Sequence, residues 1–283
     1  MDHHYERYKE ISDYINLQNI PKDVDPVSLS LRILLFDRYG IDKGGVIHIG
    51  GHSGQELPMY TQLGFKKILM VEPQPSLFES MKQYAEAIEA FRTELHQLLE
   101  LGESQPYPEI QCVQSVVSSQ SDIVQLYQMG DTEWSSILEP NIGSFYQALN
   151  QYWRKRYIPW YQMPLAWLSY FIALNRTKVI EIESKTLDQL MSELKPGWQS
   201  SDFSYLRMNI QGSELMALQG GKETLKHLQA ISLEINIDER YKGSPSKPEI
   251  DDFLSSFEFV DVFSFKMGSV GNGLYLKEAI ASN

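Results

Sequence analysis

The stretch that decides the fold is Val46-Ile47-His48-Ile49-Gly50-Gly51-His52-Ser53-Gly54, a short apolar run that ends in a glycine-rich turn. Leu57, Tyr60 and Leu63 follow at helical spacing, which predicts an amphipathic helix. A second apolar run, Ile68-Leu69-Met70-Val71, predicts another buried strand. A strand, a helix and a strand with short connections are typical of a parallel sheet with right-handed crossovers.

The rest of the chain continues this alternation on both sides of an interruption at about residues 141–177. The pattern predicts one doubly wound α/β domain over residues 44–283, with a helical insertion at the interruption, after a helical segment at residues 1–43. Two independent domains are disfavoured, because strands on both sides of the insertion are needed to complete the sheet. The predicted helices are 5–15, one beginning near Pro26, 76–101, 186–194 and 213–228, and the predicted strands are 110–117, 123–129, 179–182, 205–210, 231–235, 257–265 and 273–276.

Composition and charge narrow the class of protein. The formal net charge is −12. This charge disfavours a nucleic-acid partner, because a protein that binds nucleic acid must bind negatively charged phosphates. The single cysteine, Cys112, excludes an internal disulfide and favours a reducing compartment. The first ten residues lack the apolar core of a signal peptide, and the apolar run at 163–174 is shorter than the roughly 20 residues of a spanning helix. We therefore expect a cytoplasmic protein without stable membrane insertion.

The glycine turn and the acid after the next strand together predict a nucleoside site. Glycines let the backbone approach a ligand closely at the start of a helix. Glu72 follows the second strand about 22 positions after Gly50, near the spacing of about 20 at which an acid accepts ribose hydroxyls. The turn lacks the third glycine of the dinucleotide fingerprint. The pattern therefore favours a nucleoside without a pyrophosphate, such as S-adenosylmethionine, although a tight turn beside a surface acid would read the same way.

Three ordered blocks of sequence resemble the FkbM-type S-adenosylmethionine-dependent methyltransferases. The first comprises 46–56 and 71–75, the second is the Trp134-Ser135-Ser136-Ile137-Leu138 segment, and the third comprises 186–190 and 206–214. The resemblance implies a class I methyltransferase (Rossmann-like) fold, whose seven-stranded, mostly parallel sheet has an antiparallel final hairpin. It implies O-methylation, typically of a sugar or a natural-product intermediate.

The resemblance also implies roles for individual residues. Asn209 would lie beside the methyl donor, and Glu72 would bind the ribose. The family usually has aspartate at the position of His48, asparagine at that of His52 and aspartate at that of Asn209. Because Asn209 replaces an acid, a candidate metal ligand is missing and no metal is expected. The implied cofactor-binding residues are His48, Gly50, Gly51, His52, Ser53, Gly54, Glu72, Ser115, Val116 and Asn209.

The chemistry of methyl transfer decides which further residues matter. A hydroxyl acceptor needs a general base, whereas a carboxylate acceptor is already anionic and needs none. The carboxylates and histidines near strand ends are His48, His52, Glu214, Glu234 and Asp238. Asn209, His52 and Glu234 are the catalytic candidates, and Asn236 is a candidate acceptor contact.

The insertion is rich in aromatic residues and contains the basic triplet Arg154-Lys155-Arg156. Its aromatic side chains either pack as an ordinary helical cap or line an acceptor pocket, with the arginines binding a carboxylate or phosphate. Attachment to a membrane surface is a third, minor possibility. The predicted substrate-binding residues here are Trp153, Arg154, Arg156, Trp160 and Tyr161.

Two other functions stay open at this point. A nicotinamide-dependent oxidoreductase uses a similar sheet, but the third glycine is missing and the Tyr-x-x-x-Lys match at Tyr5 to Lys9 precedes the first strand. A non-catalytic binding subunit would explain the altered residues at His48 and Asn209. The expected partner is a small-molecule or peptide acceptor, and neither its identity nor the oligomeric state follows from the sequence.

Overall fold

The computed structural model describes residues 36–98, 108–154, 163–236, 239–267 and 270–282. The helix predicted at 5–15 lies outside these residues, whereas the end of the helix predicted from near Pro26 is described at residues 36–39 and is helical. The strands are β1 (Gly45–Ile49), β2 (Lys67–Val71), β3 (Glu109–Val113), β4 (Val116–Val117), β5 (Ile123–Gln128), β6 (Lys178–Lys185), β7 (Tyr205–Met208), β8 (Ala230–Asn236), β9 (Phe259–Met267) and β10 (Val270–Lys277). The helices are α1 (Leu57–Leu63), α2 (Pro75–Leu98), α3 (Ile142–Arg154), α4 (Met163–Asn175), α5 (Leu187–Ser192), α6 (Glu214–Gln219), α7 (Lys222–Leu225), α8 (Lys247–Ser255) and α9 (Glu278–Ala281).

Seven strands form the main sheet in the order β3-β2-β1-β7-β8-β10-β9. The neighbours from β3 to β8 are parallel, whereas β10 is antiparallel to both β8 and β9. This is the predicted sheet with its antiparallel final hairpin, and the class I methyltransferase fold is confirmed.

The central strands are buried on both faces, as parallel sheets require. All five residues of β1 are buried, and successive side chains point to opposite faces. Ile47 belongs to the core that contains residues of α5, α6, α7 and α8, whereas Val46 packs in the core with residues of α1 and α2. Helices therefore cover both faces and leave the carboxyl ends of β1 and β7 as the place for a ligand.

Two predicted elements are divided in the structure. The strand predicted at 110–117 ends at Val113, and β4 pairs with β6 in a separate three-stranded sheet with β5. The helix predicted at 213–228 is two helices, because the Gly220-Gly221 step separates α6 from α7. A Cβ on Gly220 would lie 2.2 Å from the Ser118 carbonyl oxygen, so the close approach of β4's loop requires glycine there.

The segment between β5 and β6 forms α3 and α4. Phe145 of α3 is buried in a small core with Met129, Leu174 and Tyr241. Helix α4 exposes Leu165 to 70%. Among the described residues, no helix is long and apolar enough to cross a membrane.

Candidate active site

A cavity of about 480 Å³ opens at the carboxyl ends of β1, β2, β7 and β8. It gathers residues from the glycine turn, from the loop around Ser135 and from the turn after β7. Ser53 and Gly54 of the glycine turn do not line it. The predicted residues that do are His48, Gly50, Gly51, His52, Glu72, Ser115, Val116, Asn209 and Glu234.

The glycine turn is held tightly between two strand ends. Gly50 has φ +83°, and a Cβ there would lie 2.1 Å from the carbonyl oxygen of Asn209. The amides of Gly50 and Gly51 both donate to the Val71 carbonyl, at 2.9 and 3.0 Å. The left-handed conformation and the close approach together exclude any side chain at position 50.

Glu72 is buried, and both of its carboxylate oxygens accept backbone hydrogen bonds. Oε2 accepts from the His52 amide and Oε1 from the Gln74 amide, each at 2.9 Å. Burial raises the pKa of Glu72, and the hydrogen bonds to His52 and Gln74 act against that rise. The acid is therefore fixed at the wall of the cavity, where carboxylate oxygens can accept further hydrogen bonds from hydroxyl groups.

His52 connects the glycine turn to the loop at residues 131–136. It has φ +48°, and its ring nitrogens lie 3.3 Å from the Ser53 hydroxyl and 3.0 Å from the Thr132 hydroxyl. Gln74 crosses to the same loop, donating to the Thr132 carbonyl at 3.1 Å and accepting from the Ser135 hydroxyl at 3.3 Å. These bonds close one side of the cavity, and they occupy both ring nitrogens of His52.

His48 belongs to a buried polar group beneath the turn. Its Nδ1 lies 3.0 Å from Oε2 of Glu56 and 3.1 Å from the hydroxyl of Tyr60. Arg207 is paired with His48 across the strands, is 5% exposed, and places Nε 3.9 Å from Oε1 of Glu56. Its Nη1 donates to the Met208 carbonyl at 3.1 Å, whereas its buried Nε makes no hydrogen bond within the described part of the chain.

Asn209, Gln211 and Glu234 form a second group where β7 and β8 end. The side-chain amide nitrogen of Gln211 donates to Oδ1 of Asn209 at 2.8 Å and to Oε1 of Glu234 at 3.0 Å. Burial raises the pKa of Glu234, and Arg207, Gln211 and Arg240 act against the rise. A carboxylate with a raised pKa at a cavity wall is a stronger base than an exposed carboxylate and is suited to accept a proton.

Glu214, unlike Glu234, binds backbone amides and stabilises a turn. Its two oxygens accept from the amides of Ile210 and Gly212, at 3.0 and 2.9 Å, and so cap the turn after β7. Burial raises the pKa of Glu214 to about 7. Since both oxygens face backbone donors, this acid stabilises the turn that carries Gln211.

Several predicted acceptor contacts lie outside the described residues. They are Arg156, Trp160 and Tyr161, and the candidate base Asp238 lies outside the described residues as well. The structure describes the backbone of Trp153, Arg154 and Asn236 but not their side chains. Whether any of these residues binds the acceptor stays a prediction.

The cavity instead contains Trp134 and Arg240, which the sequence reasoning did not select. Arg240 is 8% exposed, and its guanidinium lies 5.6 Å from the ring centre of Phe145. Arg207 was missed as well, although a charged residue inside an otherwise apolar strand was a usable signal. Within the described residues, no group of three or more histidine, cysteine or acidic side chains could hold a metal ion.

The sequence matches the methyltransferase FkbM domain over residues 48–260. The chain belongs to the FkbM methyltransferase family. This membership confirms the predicted enzyme class and the predicted cofactor, S-adenosylmethionine. It decides against the nicotinamide-dependent alternative.

A curated relative is the 2-O-methyltransferase NoeI of Sinorhizobium fredii, 38% identical over 84 residues. The matched segment covers 30% of this FkbM chain and 33% of the relative, so the chain spans about a third of that protein. The similarity concerns one segment rather than two whole proteins.

Solved structures similar to this FkbM chain include two methyltransferases. One is the magnesium protoporphyrin IX methyltransferase of Synechocystis PCC 6803 with bound S-adenosylmethionine, with 8% identity, a TM-score of 0.42, and coverage of 98% of this chain and 92% of that chain. The other is a ribosomal protein L11 methylase of Lactobacillus delbrueckii, with 11% identity, a TM-score of 0.42, and coverage of 94% and 92%.

Proposed function

We propose that this protein transfers a methyl group from S-adenosylmethionine to a hydroxyl oxygen of a small-molecule or peptide acceptor. The observation that carries the proposal is Glu234, a carboxylate with a raised pKa that lines the cavity beside Asn209. A hydroxyl acceptor must lose a proton as it attacks, and Glu234 is placed to take it. Sugars and natural-product intermediates carry such hydroxyls and are the acceptors we favour.

The residues of the cavity fit the predicted cofactor. Glycine at position 50 lets the turn pack closely against the carbonyl oxygen of Asn209, and we assign Gly50, Gly51 and His52 of this turn, which line the cavity, to the methionine portion. We assign the carboxylate of Glu72 to the ribose hydroxyls. Ser115 and Val116 line the same cavity and are assigned to the adenine.

The reaction needs little from the protein beyond positioning. S-adenosylmethionine supplies a methyl group that is already activated on a sulfonium. Glu234 accepts the proton of the acceptor hydroxyl, and the oxygen lone pair forms the new bond to the methyl carbon. The carbon–sulfur bond breaks with its electron pair moving to sulfur, which yields a neutral thioether. Holding the acceptor in line supplies most of the rate enhancement.

Arg207 and Arg240 support a second candidate, a carboxylate acceptor. Both guanidinium groups line the cavity, and Arg207 Nε has no hydrogen-bond partner within the described residues. Arginine binds carboxylates through paired donors. A carboxylate acceptor needs no general base, so this candidate predicts that Glu234 can be replaced without loss of rate.

We place this activity in the cytoplasm and exclude nucleic acid as its substrate, because the net charge of −12 would repel phosphates. We also retain the proposed division of the chain into a helical segment at residues 1–43 and the methyltransferase domain at 44–283. The insertion at about 141–177 is proposed to contribute to acceptor binding.

Calorimetric titration with S-adenosylmethionine and with NADH tests the cofactor. We expect binding of the first and none of the second, and the opposite result would contradict the proposal. A mass-spectrometric screen with hydroxylated and carboxylated metabolites then tests the acceptor. Methylation of a hydroxyl that Glu234→Gln slows at least tenfold supports the main proposal. Methylation of a carboxylate at an unchanged rate supports the second candidate, and cofactor binding without any methylation supports a binding subunit.

A further inference from the structure

Gln211 has a backbone conformation that glutamine seldom adopts. Its φ is +55°, in the left-handed region, and its side chain is buried. Its carbonyl accepts from the Ser136 hydroxyl at 2.8 Å, and Glu214 holds the amides on either side of it. Strained residues that the surrounding structure holds in place cluster at functional sites. The fold therefore maintains Gln211 in a position that the local sequence alone disfavours.

The carboxylate of Glu234 determines which way the Gln211 amide points. Glu234 must be ionised to act as a base, and an ionised carboxylate only accepts hydrogen bonds, so in that state the group 3.0 Å from its Oε1 is Nε2 of Gln211. The second hydrogen of Nε2 is donated to Oδ1 of Asn209 at 2.8 Å. On the other side, Oε1 of Gln211 lies 3.1 Å from the hydroxyl of Tyr241, whose single hydrogen is shared with the carbonyl oxygen of Trp134 at 2.8 Å. The bonds to Glu234 and Asn209 therefore define the orientation of the amide.

The orientation of Gln211 in turn fixes Asn209. Because Oδ1 of Asn209 accepts from Gln211, the Nδ2 group of Asn209 is left as a donor for an oxygen atom in the cavity. We propose that Gln211 is the positioning residue of this active site, which turns the amide group of Asn209 toward the acceptor oxygen and holds Glu234 beside it. The proposal rests on the proposed O-methyl transfer, in which Glu234 accepts the proton of the acceptor hydroxyl.

The support for Gln211 extends to the helical insertion. Tyr241 is fully buried, and its hydroxyl also lies 2.8 Å from the carbonyl oxygen of Trp134. Its ring meets Phe145 of α3 edge-on, with ring centres 5.6 Å apart. The contacts therefore run from α3 through Tyr241 to the amide of Gln211.

The test measures the pKa of Glu234 by carbon-13 NMR of protein labelled at glutamate and asparagine side chains, with S-adenosylhomocysteine bound. Glu234→Gln assigns the resonance. Gln211→Met keeps the length of the side chain and removes its donor, and Gln211→Asn suits the positive φ but is too short to span both partners. Gln114→Met is the control, because Gln114 is exposed and its side-chain amide donates to the Pro73 carbonyl at 3.4 Å, away from Gln211.

We expect both Gln211 variants to raise the pKa of Glu234 by about one to two units, since each removes a hydrogen bond to the ionised form. We also expect the side-chain carbonyl resonance of Asn209 to shift in both, and the control to change neither signal. An unchanged pKa in both variants would overturn the proposal. A shift in the asparagine variant alone would overturn it too, because loss of the donor in the methionine variant would then have no effect and a change in the backbone would be the cause.

The proposed function can fail separately. If S-adenosylhomocysteine does not bind wild-type protein, the methyltransferase assignment fails, whereas the titration of Glu234 can still be followed in the ligand-free protein. If it binds every variant within about threefold of wild type and the pKa shifts as expected, Gln211 acts on Glu234 and Asn209 rather than on the cofactor.

Discussion

Replacing Glu72 with glutamine tests the assignment of the ribose most directly. The substitution preserves the size of the side chain and removes one acceptor oxygen. In the wild-type protein the two oxygens accept from the His52 and Gln74 amides, each at 2.9 Å. The glutamine side chain can accept from only one of these amides, and its NH₂ group then faces the other donor.

The expected cost follows from that mismatch. A buried donor without an acceptor costs about 1–3 kcal/mol, so Glu72→Gln should lower the free energy of unfolding by about that amount. The substitution also takes away a charged acceptor from the ribose hydroxyls. The affinity for S-adenosylhomocysteine should therefore fall at least tenfold, which is about 1.4 kcal/mol.

The pH dependence gives a second signature of Glu72. Burial raises its pKa above the ordinary value of 4.5, so the folded state binds the proton more tightly than the unfolded state. Its contribution to stability should therefore decrease as the pH rises from about 4.5 through the raised pKa. Cofactor affinity should change in the opposite direction, because the ribose needs the ionised acceptor. Neither dependence on Glu72 should remain in Glu72→Gln.

Urea unfolding without ligand and calorimetric titration with S-adenosylhomocysteine measure the two effects separately. Glu79→Gln is the matched control, because Glu79 is an exposed acid on α2. It should leave both quantities within experimental error of wild type. If Glu72→Gln folds and binds S-adenosylhomocysteine within twofold of wild type, then Glu72 does not bind the ribose.

Two further predictions concern the glycine turn and the cysteine. Gly50→Ala should abolish S-adenosylhomocysteine binding, because its Cβ would lie 2.1 Å from the Asn209 carbonyl oxygen. Gly64→Ala is the control, because Gly64 has a similar φ of +85° and a Cβ there would have no atom within 4 Å. We expect Gly64→Ala to cost only about 1–2 kcal/mol in urea unfolding, and equal effects of the two variants would refute the steric argument. Burial, together with nearby acids such as Glu89, raises the pKa of Cys112 to about 11. Its thiol should therefore react with a disulfide reagent at pH 8 about a hundredfold more slowly than a free cysteine, and a comparable rate would contradict the described burial.

The sequence alone was sufficient for the order of strands and helices around the glycine turn. The apolar runs at 46–49 and 68–71 are short and almost entirely apolar, which is typical of buried parallel strands. The carboxyl ends of such strands meet at one edge of the sheet. Glu72 could be placed at the cavity for that reason. The divided strand at Val113 and the helix break at Gly220 could not be predicted, because both depend on contacts with β6 and β4 that lie far away in the sequence.

What the sequence determined was the sheet, the methyltransferase family and the strand ends that carry the glycine turn, Glu72 and Asn209. These follow from local periodicity and short motifs, which act over a few residues. Only the tertiary structure decided that Arg207 and Arg240 face the same cavity, and that Gln211 bonds both Asn209 and Glu234. Such contacts depend on the register of the strands and on the orientation of side chains from segments that are distant in the chain. The spacing of residues along the sequence determines neither the register nor the orientation.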